Sequence, residues 1–243
     1  MNQELLKYIN EARLIVFFTG AGISTESGIP DFRGPKGFWK TNTPIYFQDF
    51  MASEEVRRDS WNKKFSNKDI IRKAKPNIGH KALAQIINNK PGSHLITQNV
   101  DNLHQDAGLS ESNITEIHGN ATYASCLDCN ARYELEPIKK AFLNNGTIPY
   151  CARCKGIIKQ STISFGQSMP EEGMRVAQEK ILGCDLFITL GTSLVVYPAA
   201  GFPQLAKESG AKLIIINNEP TDYDHIADLV IHEQIGDVFK DYS

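Results

Sequence analysis

Residues 97–104, Thr-Gln-Asn-Val-Asp-Asn-Leu-His, gather amide, carboxylate and imidazole groups in one short stretch. An apolar segment at 93–96 comes directly before them, as it does where a buried strand ends in a site. Because ligands bind at the carboxyl ends of strands in open α/β sheets, this stretch predicts polar contacts to a ligand. The alternative is a polar loop whose Asn and Asp only cap and turn the chain. The rest of the chain has to decide between the two.

Three further strand ends carry small or polar residues. Gly20-Ala21-Gly22 follows an apolar run, and glycines there let the backbone approach a pyrophosphate. The full G-x-G-x-x-G pattern is not met, because Thr25 occupies the third glycine position and no acid stands about 20 residues beyond to hold a ribose. The segments 190–193, Leu-Gly-Thr-Ser, and 217–219, Asn-Asn-Glu, offer hydroxyl and amide groups for phosphate and ribose contacts. Together these ends favour a nucleotide site over turns that only terminate strands.

Four cysteines form two C-x₂-C pairs, Cys126–Cys129 and Cys151–Cys154. Each pair can set two thiolates on a tight knuckle, and the separation of the pairs is close to that of a four-cysteine zinc site. Disulfides are the competing interpretation in a secreted protein, whereas an intracellular chain favours metal. Four thiolates leave no open position for water, so the predicted zinc is structural. Cys184 begins an apolar run and is predicted to be a core thiol.

Length and composition limit the class of protein. A chain of 243 residues fits one large domain or a domain with a smaller insertion. With 41% hydrophobic residues, 22% charged residues and a net charge of −2, it gives no strong signal for nucleic acid or for a membrane surface. The apolar run at 14–18 follows a charged segment, so we predict neither a membrane span nor a signal peptide there. We expect a cytoplasmic protein.

The spacing of apolar residues predicts the elements that must position these groups. Helices are predicted at 3–13, 48–75, 76–87, 171–183 and 198–209, with His80 interpreted as a packed helix residue. Apolar runs indicate strands at 14–19, 94–98, 185–190, 212–217 and 228–231, and a further run lies at 163–165. Their β-branched residues and the helices between them indicate a parallel sheet covered on both faces. Residues 27–44 are rich in Gly and Pro and predict a long loop.

With these residues assembled, the chain resembles the sirtuins, the NAD-dependent protein deacylases. Besides the four cysteines, the resemblance rests on Gly-Ala-Gly-Ile-Ser-Thr-Glu-Ser-Gly-Ile-Pro-Asp-Phe-Arg-Gly at 20–34, the stretch 97–104, Glu-Ile-His-Gly at 116–119, Ser-Phe-Gly at 164–166 and Gly-Thr-Ser-Leu-Val-Val-Tyr-Pro at 191–198. It implies an α/β fold: a Rossmann-type parallel sheet with helices on both faces, a small zinc-binding domain and a helical insertion. The expected NAD-binding large domain comprises 1–34, 76–118 and 161–243, the helical insertion with the cofactor loop 35–75, and the zinc module 119–160.

The resemblance also implies roles for single residues, position by position. His118 would be the catalytic base, and Asn99 and Asp101 would complete the catalytic set in the nicotinamide pocket. The expected NAD contacts are Gly20, Ala21, Gly22, Thr25, Asp31, Phe32, Arg33, Trp39, Gln98, Asn99, Asp101, Gly191, Thr192, Ser193, Asn217 and Asn218. The expected substrate contacts are Ile163, Phe165, Gly166 and Val196, in two segments that sandwich the peptide as an added strand. The residues alone leave His104 open as the base, and the family's His-Gly motif selects His118.

The implied reaction removes an acyl group, acetyl first, from a protein lysine side chain with NAD as co-substrate. Its products are nicotinamide, free lysine and an O-acyl-ADP-ribose. The acyl oxygen is a poor nucleophile, so holding it against the ribose can contribute roughly 7–11 kcal/mol. A histidine, with an unperturbed pKa of about 6.5, suits proton transfer from a ribose hydroxyl near neutral pH. The expected partner is an acylated-lysine protein or peptide.

The chain departs from the family pattern at two places. Residues 158–161 are Ile-Lys-Gln-Ser where Arg-Pro is common, and 165–167 are Phe-Gly-Gln where Phe-Gly-Glu is common, which bears on peptide contacts at the rim. Trp61 and Lys64 align with a Tyr and an Arg that read acidic acyl groups, and the mismatch favours a neutral acyl group, although Lys64 could meet a carboxylate as a point charge. The open alternatives are a protein ADP-ribosyltransferase, a deacylase for longer or acidic acyl groups, and a nonenzymatic NAD-sensing or zinc-ribbon interaction module.

Overall fold

The computed structural model describes residues 2–32, 37, 43–66 and 70–242. Within these ranges the strands are β1 Ile15–Thr19, β2 His94–Thr97, β3 Ile114–Glu116, β4 Gly119–Cys126, β5 Arg132–Glu134, β6 Ile158–Thr162, β7 Leu186–Leu190, β8 Lys212–Ile216 and β9 Leu229–Ile231. The α-helices are α1 Gln3–Glu11, α2 Phe47–Ala52, α3 Glu54–Ser66, α4 Ile70–Lys73, α5 Ile78–Asn89, α6 Leu103–Asp106, α7 Leu135–Asn145, α8 Glu171–Gly183, α9 Phe202–Glu208 and α10 Ile235–Phe239.

Six strands form one sheet in the order β3-β2-β1-β7-β8-β9, and every neighbouring pair is parallel. Numbered within this sheet, the order is 3-2-1-4-5-6, which is the Rossmann order. Strands β1 and β7 are buried along their whole length, because a parallel sheet covered on both faces needs apolar residues at every position. The predicted parallel sheet is confirmed. The strand order reverses between β1 and β7, where such sheets bind their ligands.

Helices cover both faces of this sheet. One core cluster joins Leu5 of α1, Leu83 of α5 and Val238 of α10, and another joins Ile181 of α8 and Phe202 of α9. The helix predicted over 48–75 is instead α2, α3 and α4, because the backbone turns extended at Ser53, and residues 67–69 lie outside the described part of the chain. No helix within the described ranges combines the length and the apolarity that a membrane span requires.

A second, antiparallel sheet of three strands has β4 in the middle, with β5 and β6 beside it. Its core contains Ile138 and Phe142 from α7, together with Trp61 from α3, whose ring stacks on Phe65 at a centroid distance of 5.4 Å. The apolar run at 163–165 is not a strand but follows β6 directly. Strand β3, Ile-Thr-Glu, contains only one apolar residue, so no apolar run indicated it in the sequence.

Candidate active site

Two glycine-containing turns cross each other where β1 and β7 end. The backbone N–H of Gly20 donates to Leu190 O at 3.0 Å, and that of Gly22 donates to Gly191 O at 2.8 Å. A Cβ on Gly22 would lie 2.6 Å from Gly191 Cα, and Gly191 has a φ of +60°, which favours glycine. These glycines therefore let two backbones touch. From the sequence, we expect these glycines because of the approach of a pyrophosphate. The close contact between the two turns is a second reason for glycine at these positions.

The residues after Gly20 form a 3₁₀ turn over Ala21–Ser27. Ala21 is half-buried there, and the Thr25 hydroxyl donates to Gly22 O at 2.9 Å, closing the turn on itself. Asp31, half-buried, and Phe32, exposed, come a few residues later. Two of the expected NAD contacts, Arg33 and Trp39, lie outside the described residues.

A buried amide and a buried carboxyl group face this turn from the end of β2. Asn99 and Asp101 are only 5% and 6% exposed. The Asn99 amide donates to Gly20 O at 3.0 Å and to Ser24 Oγ at 3.2 Å, and Ser24 Oγ donates to Asp101 Oδ2 at 2.6 Å. Burial raises the pKa of Asp101, while the hydrogen bonds from Ser24 and from the Leu103 N–H oppose that rise. Both side chains are therefore held in place, as a ligand-binding pair requires.

Two buried histidines extend this polar cluster. His80 Nε2 lies 3.4 Å from Ser24 Oγ, and His104 Nε2 lies 3.0 Å from Thr19 Oγ1, with the two rings 4.9 Å apart. Burial lowers the pKa of His80 to about 4 and that of His104 well below its usual value, so both are neutral near pH 7. His80 is a packed helix residue, as interpreted, and it also caps α5 with Asn77 and supports the cluster. Neither Ser24 nor His80 was predicted as a site residue from the sequence, although Ser24 lies within the 20–34 motif.

Residues that follow β2 and β7 contact each other beyond the carboxyl end of β1, the strand between them. The Gln98 amide donates to Thr192 Oγ1 at 2.9 Å, and the same hydroxyl accepts from the Leu194 N–H at 3.3 Å. Thr192 is buried, whereas Ser193 is exposed. The positions expected from the sequence at 98, 99, 101 and 191–193 therefore lie around one edge of the sheet. Hydroxyl and amide groups at that edge suit the ribose and carboxamide groups of a dinucleotide.

The two asparagines after β8 lie at the same edge of the sheet. The Asn217 side-chain amide donates to Glu219 O at 2.6 Å, and its backbone N–H donates to Ile231 O at 3.1 Å. Asn218 is exposed. Asn217 thus uses its amide nitrogen to shape its own turn, and a ribose contact from these positions stays a prediction.

His118 lies between β3 and β4, where the chain passes from one sheet to the other. Its Nδ1 lies 3.1 Å from the Gln98 carbonyl oxygen. A carbonyl can only accept, so Nδ1 carries the proton and Nε2 is the basic nitrogen. Gly119 has a φ of +75°, and a Cβ there would run into Ser161 O, so the chain needs glycine after the histidine. The Ile163 N–H donates to His118 O at 2.8 Å and fixes the backbone.

The resemblance places the substrate at two segments, one around Phe165 and the other around Val196, and these contacts stay predictions. Phe165 is exposed, its carbonyl accepts from the Phe47 N–H at 2.9 Å, and Gly166 has a φ of +78°. Val196 is half-buried in the other segment. Gln167 Oε1 accepts from the Ser164 N–H at 3.1 Å, so the glutamine that replaces the common glutamate closes the turn around Phe165.

The other departure from the family pattern also has a structural use. Lys159 is buried, and its ammonium group donates to the carbonyls of Thr162 and Gln160. Burial lowers the pKa of Lys159 to about 8. The Gln160 amide donates to Ala121 O at 3.0 Å, and Lys64 Nζ donates to the same oxygen at 2.9 Å. These side chains therefore hold β6, β4 and α3 together.

The four predicted zinc ligands come together at one point. All four sulfurs lie within 4.8 Å of one another, with Cys126–Cys154 and Cys129–Cys151 both at 3.5 Å. Tetrahedral zinc with Zn–S distances of about 2.3 Å needs sulfurs about 3.8 Å apart, so the set fits. None of the cysteines is in a disulfide in the described part of the chain. The Tyr133 hydroxyl donates to Cys151 Sγ at 3.1 Å and favours the thiolate that zinc requires.

The two cysteine pairs are built as matching knuckles. Asn130 follows the first pair and has a φ of +56°. Lys155 follows the second pair and has a φ of +65°. Their N–H groups donate to Cys126 O at 3.0 Å and to Cys151 O at 2.9 Å. Each turn thereby directs two thiolates to the same side. The tetrad suits a structural zinc, because four protein thiolates complete its coordination.

Comparison with known proteins agrees with this geometry. The family model described as Sir2 family matches residues 20–198. A relative from Rhodopseudomonas palustris, named NAD-dependent protein deacetylase, is 52% identical over 235 residues, which are 97% of this chain and 93% of the relative. A solved structure of Sir2 with a p53 peptide and NAD+ has a TM-score of 0.86 at 35% identity, covering 99% of this chain and 96% of the other. A structure of Sir2Tm bound to a propionylated peptide has a TM-score of 0.84 at 35% identity, covering 99% and 97%. The chain therefore belongs to the Sir2 family, as its motifs indicated.

Proposed function

We propose that this protein uses NAD to remove acyl groups, acetyl first, from lysine side chains of proteins. The observation that carries the proposal is that His118 bonds to the carbonyl of Gln98, the residue that directly follows strand β2 and directly precedes the buried Asn99. The hydrogen bond thus brings a base, from the β3–β4 connection, to the end of β2 where the ligand-binding amide lies. The name of the R. palustris relative and the peptide and NAD+ in the solved Sir2 structures support it.

We assign the nicotinamide side of NAD to Asn99 and Asp101. Their burial excludes water, and the amide and carboxyl groups match a carboxamide in hydrogen-bonding capacity. Ser24 and the Leu103 N–H hold the Asp101 carboxyl group, so its position is fixed before a ligand arrives. NAD, when bound, supplies a ribose carbon that accepts the acyl oxygen as nicotinamide leaves.

His118 would act as the general base in this assignment. The hydrogen bond from its Nδ1–H to the Gln98 carbonyl orients the ring and makes Nε2 the basic nitrogen, which would take a proton from a ribose hydroxyl. His104 does not suit this role, because its ring is buried against Thr19 behind the cluster. The geometry therefore supports the same histidine that the His-Gly motif selects.

The acylated peptide would lie between the segments 163–167 and 194–197 as an added strand. Backbone hydrogen bonds to both segments would hold the lysine stem beside Phe165, and such positioning can contribute roughly 7–11 kcal/mol. Each of the three parts of the chain predicted from the sequence can then be given a role. We propose that 1–34, 76–118 and 161–243 bind NAD, that 35–75 carries the cofactor loop, and that the zinc module at 119–160 supports the peptide side.

A neutral acyl group suits the described residues best. Trp61 is buried in the core of the small sheet, and the ammonium group of Lys64 donates to Ala121 O at 2.9 Å. Neither side chain is arranged as a fork for an acyl carboxylate. We therefore place acetyl before succinyl. Four reduced cysteines suit a reducing compartment, so we also propose an intracellular location.

The test measures deacetylation of an acetyl-lysine peptide by mass spectrometry, with and without NAD. We expect free lysine peptide and nicotinamide only when NAD is present, and we expect His118→Ala to lower the rate at least about 100-fold while the protein stays folded. His225→Ala, a change at an exposed histidine, is the matched control. Turnover without NAD would reject the proposal. Transfer of label from NAD to a protein, without an acyl product, would favour an ADP-ribosyltransferase.

A further inference from the structure

A groove with a volume of about 480 Å³ lies between α8 and α9, outside the residues assigned to NAD and to the acyl-lysine. The apolar side chains of Met174, Phe202 and Leu205 line it, and Pro198 stands at one end. Met174 and Leu205 are half-buried, so part of their apolar surface stays accessible. A groove of this size can take one or two side chains of a bound peptide.

The groove continues the proposed peptide site. Helix α8 begins at Glu171, just after the segment 163–167, and Pro198 directly follows the segment 194–197. Glu171 and Pro198 both line the groove, so a strand that pairs with the segment 194–197 ends beside it at Pro198. The two segments expose apolar side chains next to the groove. Phe165 is 41%, Val195 47% and Tyr197 72% exposed.

Two of the residues that line the groove are charged, Glu171 and Arg175. Glu172 and Glu179 hold the Arg175 guanidinium at 2.6 and 3.0 Å, so the charge of Arg175 is already balanced. Glu171, which lines the groove and is exposed, adds a third carboxylate. Residues 171–179 of α8 thus carry three carboxylates and one guanidinium, a net charge of −2. With Arg175 balanced by Glu172 and Glu179, the carboxylate of Glu171 at the groove favours a basic side chain in a partner.

We infer that the groove binds the part of the acylated protein that continues beyond the strand-forming stretch, and that it selects an apolar residue next to a Lys or Arg. The inference rests on the proposed function, because that function places the acyl-lysine between 163–167 and 194–197. An apolar side chain fills the space between Met174 and Leu205, and the neighbouring cation lies near Glu171. The groove would then select the substrate sequence beside the acyl-lysine, although it lies outside the site where the acyl group is removed.

The test compares three labelled acetyl-lysine peptides by fluorescence polarisation. The short one carries three residues on each side of the lysine, and the other two extend it towards one terminus or the other with a segment that contains Leu-Lys. We expect one extended peptide to bind about tenfold more tightly than the short one, which corresponds to about 1.4 kcal/mol. Met174→Glu should remove this gain and leave the Kd of the short peptide unchanged. Leu182→Glu, at an exposed leucine of the same helix, should keep the gain.

A second variant, at an exposed position, tests the inference even if Met174→Glu does not fold. Glu171→Lys changes only an exposed position, and we expect it to shift the preference from a Leu-Lys to a Leu-Glu extension. Equal binding of all three peptides by the wild-type protein, or an equal loss for short and extended peptides in Met174→Glu, would overturn the inference. NAD-dependent turnover of the short peptide reports on the proposed function alone. Because the binding assay needs no turnover, failure of one proposal is distinguishable from failure of the other.

Discussion

At the scale of single residues, the buried histidines make stability depend on pH. The pKa of His80 falls to about 4 on folding, because burial penalises the imidazolium. An unfolded histidine binds a proton near pH 6.5, so stability that is present above pH 6.5 is lost as the pH falls towards 4. Up to about 3 kcal/mol follows from a shift of this size. Asp101 acts with the opposite sign, because burial raises its pKa and the folded protein binds that proton first.

We expect His80→Gln to flatten this dependence. Between pH 7 and pH 5 the wild-type protein should lose about 2 kcal/mol more of its free energy of unfolding than the variant does, because glutamine has no proton to bind. Urea unfolding at the two pH values measures the difference. His225→Gln, at an exposed position, should behave as the wild type does. An equal loss in His80→Gln and wild type would show that His80 does not carry the effect.

At the scale of elements, the crossing of the turns after β1 and β7 tolerates no side chain. In Gly22→Ala the new Cβ would lie 2.6 Å from Gly191 Cα, and backbone cannot move aside as a flexible side chain can. We expect a loss of about 1–3 kcal/mol in chemical unfolding, together with weaker NAD binding. Gly183→Ala is the control, because a Cβ at the last residue of α8 meets nothing within 4 Å. Unchanged stability in Gly22→Ala would mean that the two turns can separate.

We expect the small antiparallel sheet to depend on bound zinc for its stability. We expect Cys129→Ser to abolish zinc binding, measured as metal content, and to increase hydrogen exchange in β4–β6, because the knuckles join the ends of these strands. Deacylation should also fall, since β4 begins directly after His118. The six-stranded sheet should keep its protection. Cys184→Ala, outside the tetrad, should retain the metal, and retained metal in Cys129→Ser would contradict the assignment.

At the scale of the whole molecule, the sequence predicts the parallel sheet better than it predicts the site. Strands β1, β7 and β8 are continuous apolar runs that periodicity identifies, and the cysteine spacing identifies the tetrad. The contact between Gln98 and Thr192 joins residues 94 positions apart, and it exists only because β1 lies between their strands. The same holds for the tautomer of His118, which the Gln98 carbonyl decides. The roles of these residues therefore stay predictions.

The sheet order also predicts how NAD binding affects the whole fold. The proposed contacts come from the ends of β1, β2, β7 and β8, so NAD should stabilise the six-stranded sheet as one unit. At 100 times its Kd a ligand adds about 2.7 kcal/mol, and a chain of this length gains about 2–4 °C in Tm per kcal/mol. We therefore expect NAD to raise the Tm by about 5–10 °C. Asn99→Ala should lose most of this shift, because the buried amide is then missing, while His225→Gln should keep it. A full shift in Asn99→Ala would place NAD elsewhere on the molecule.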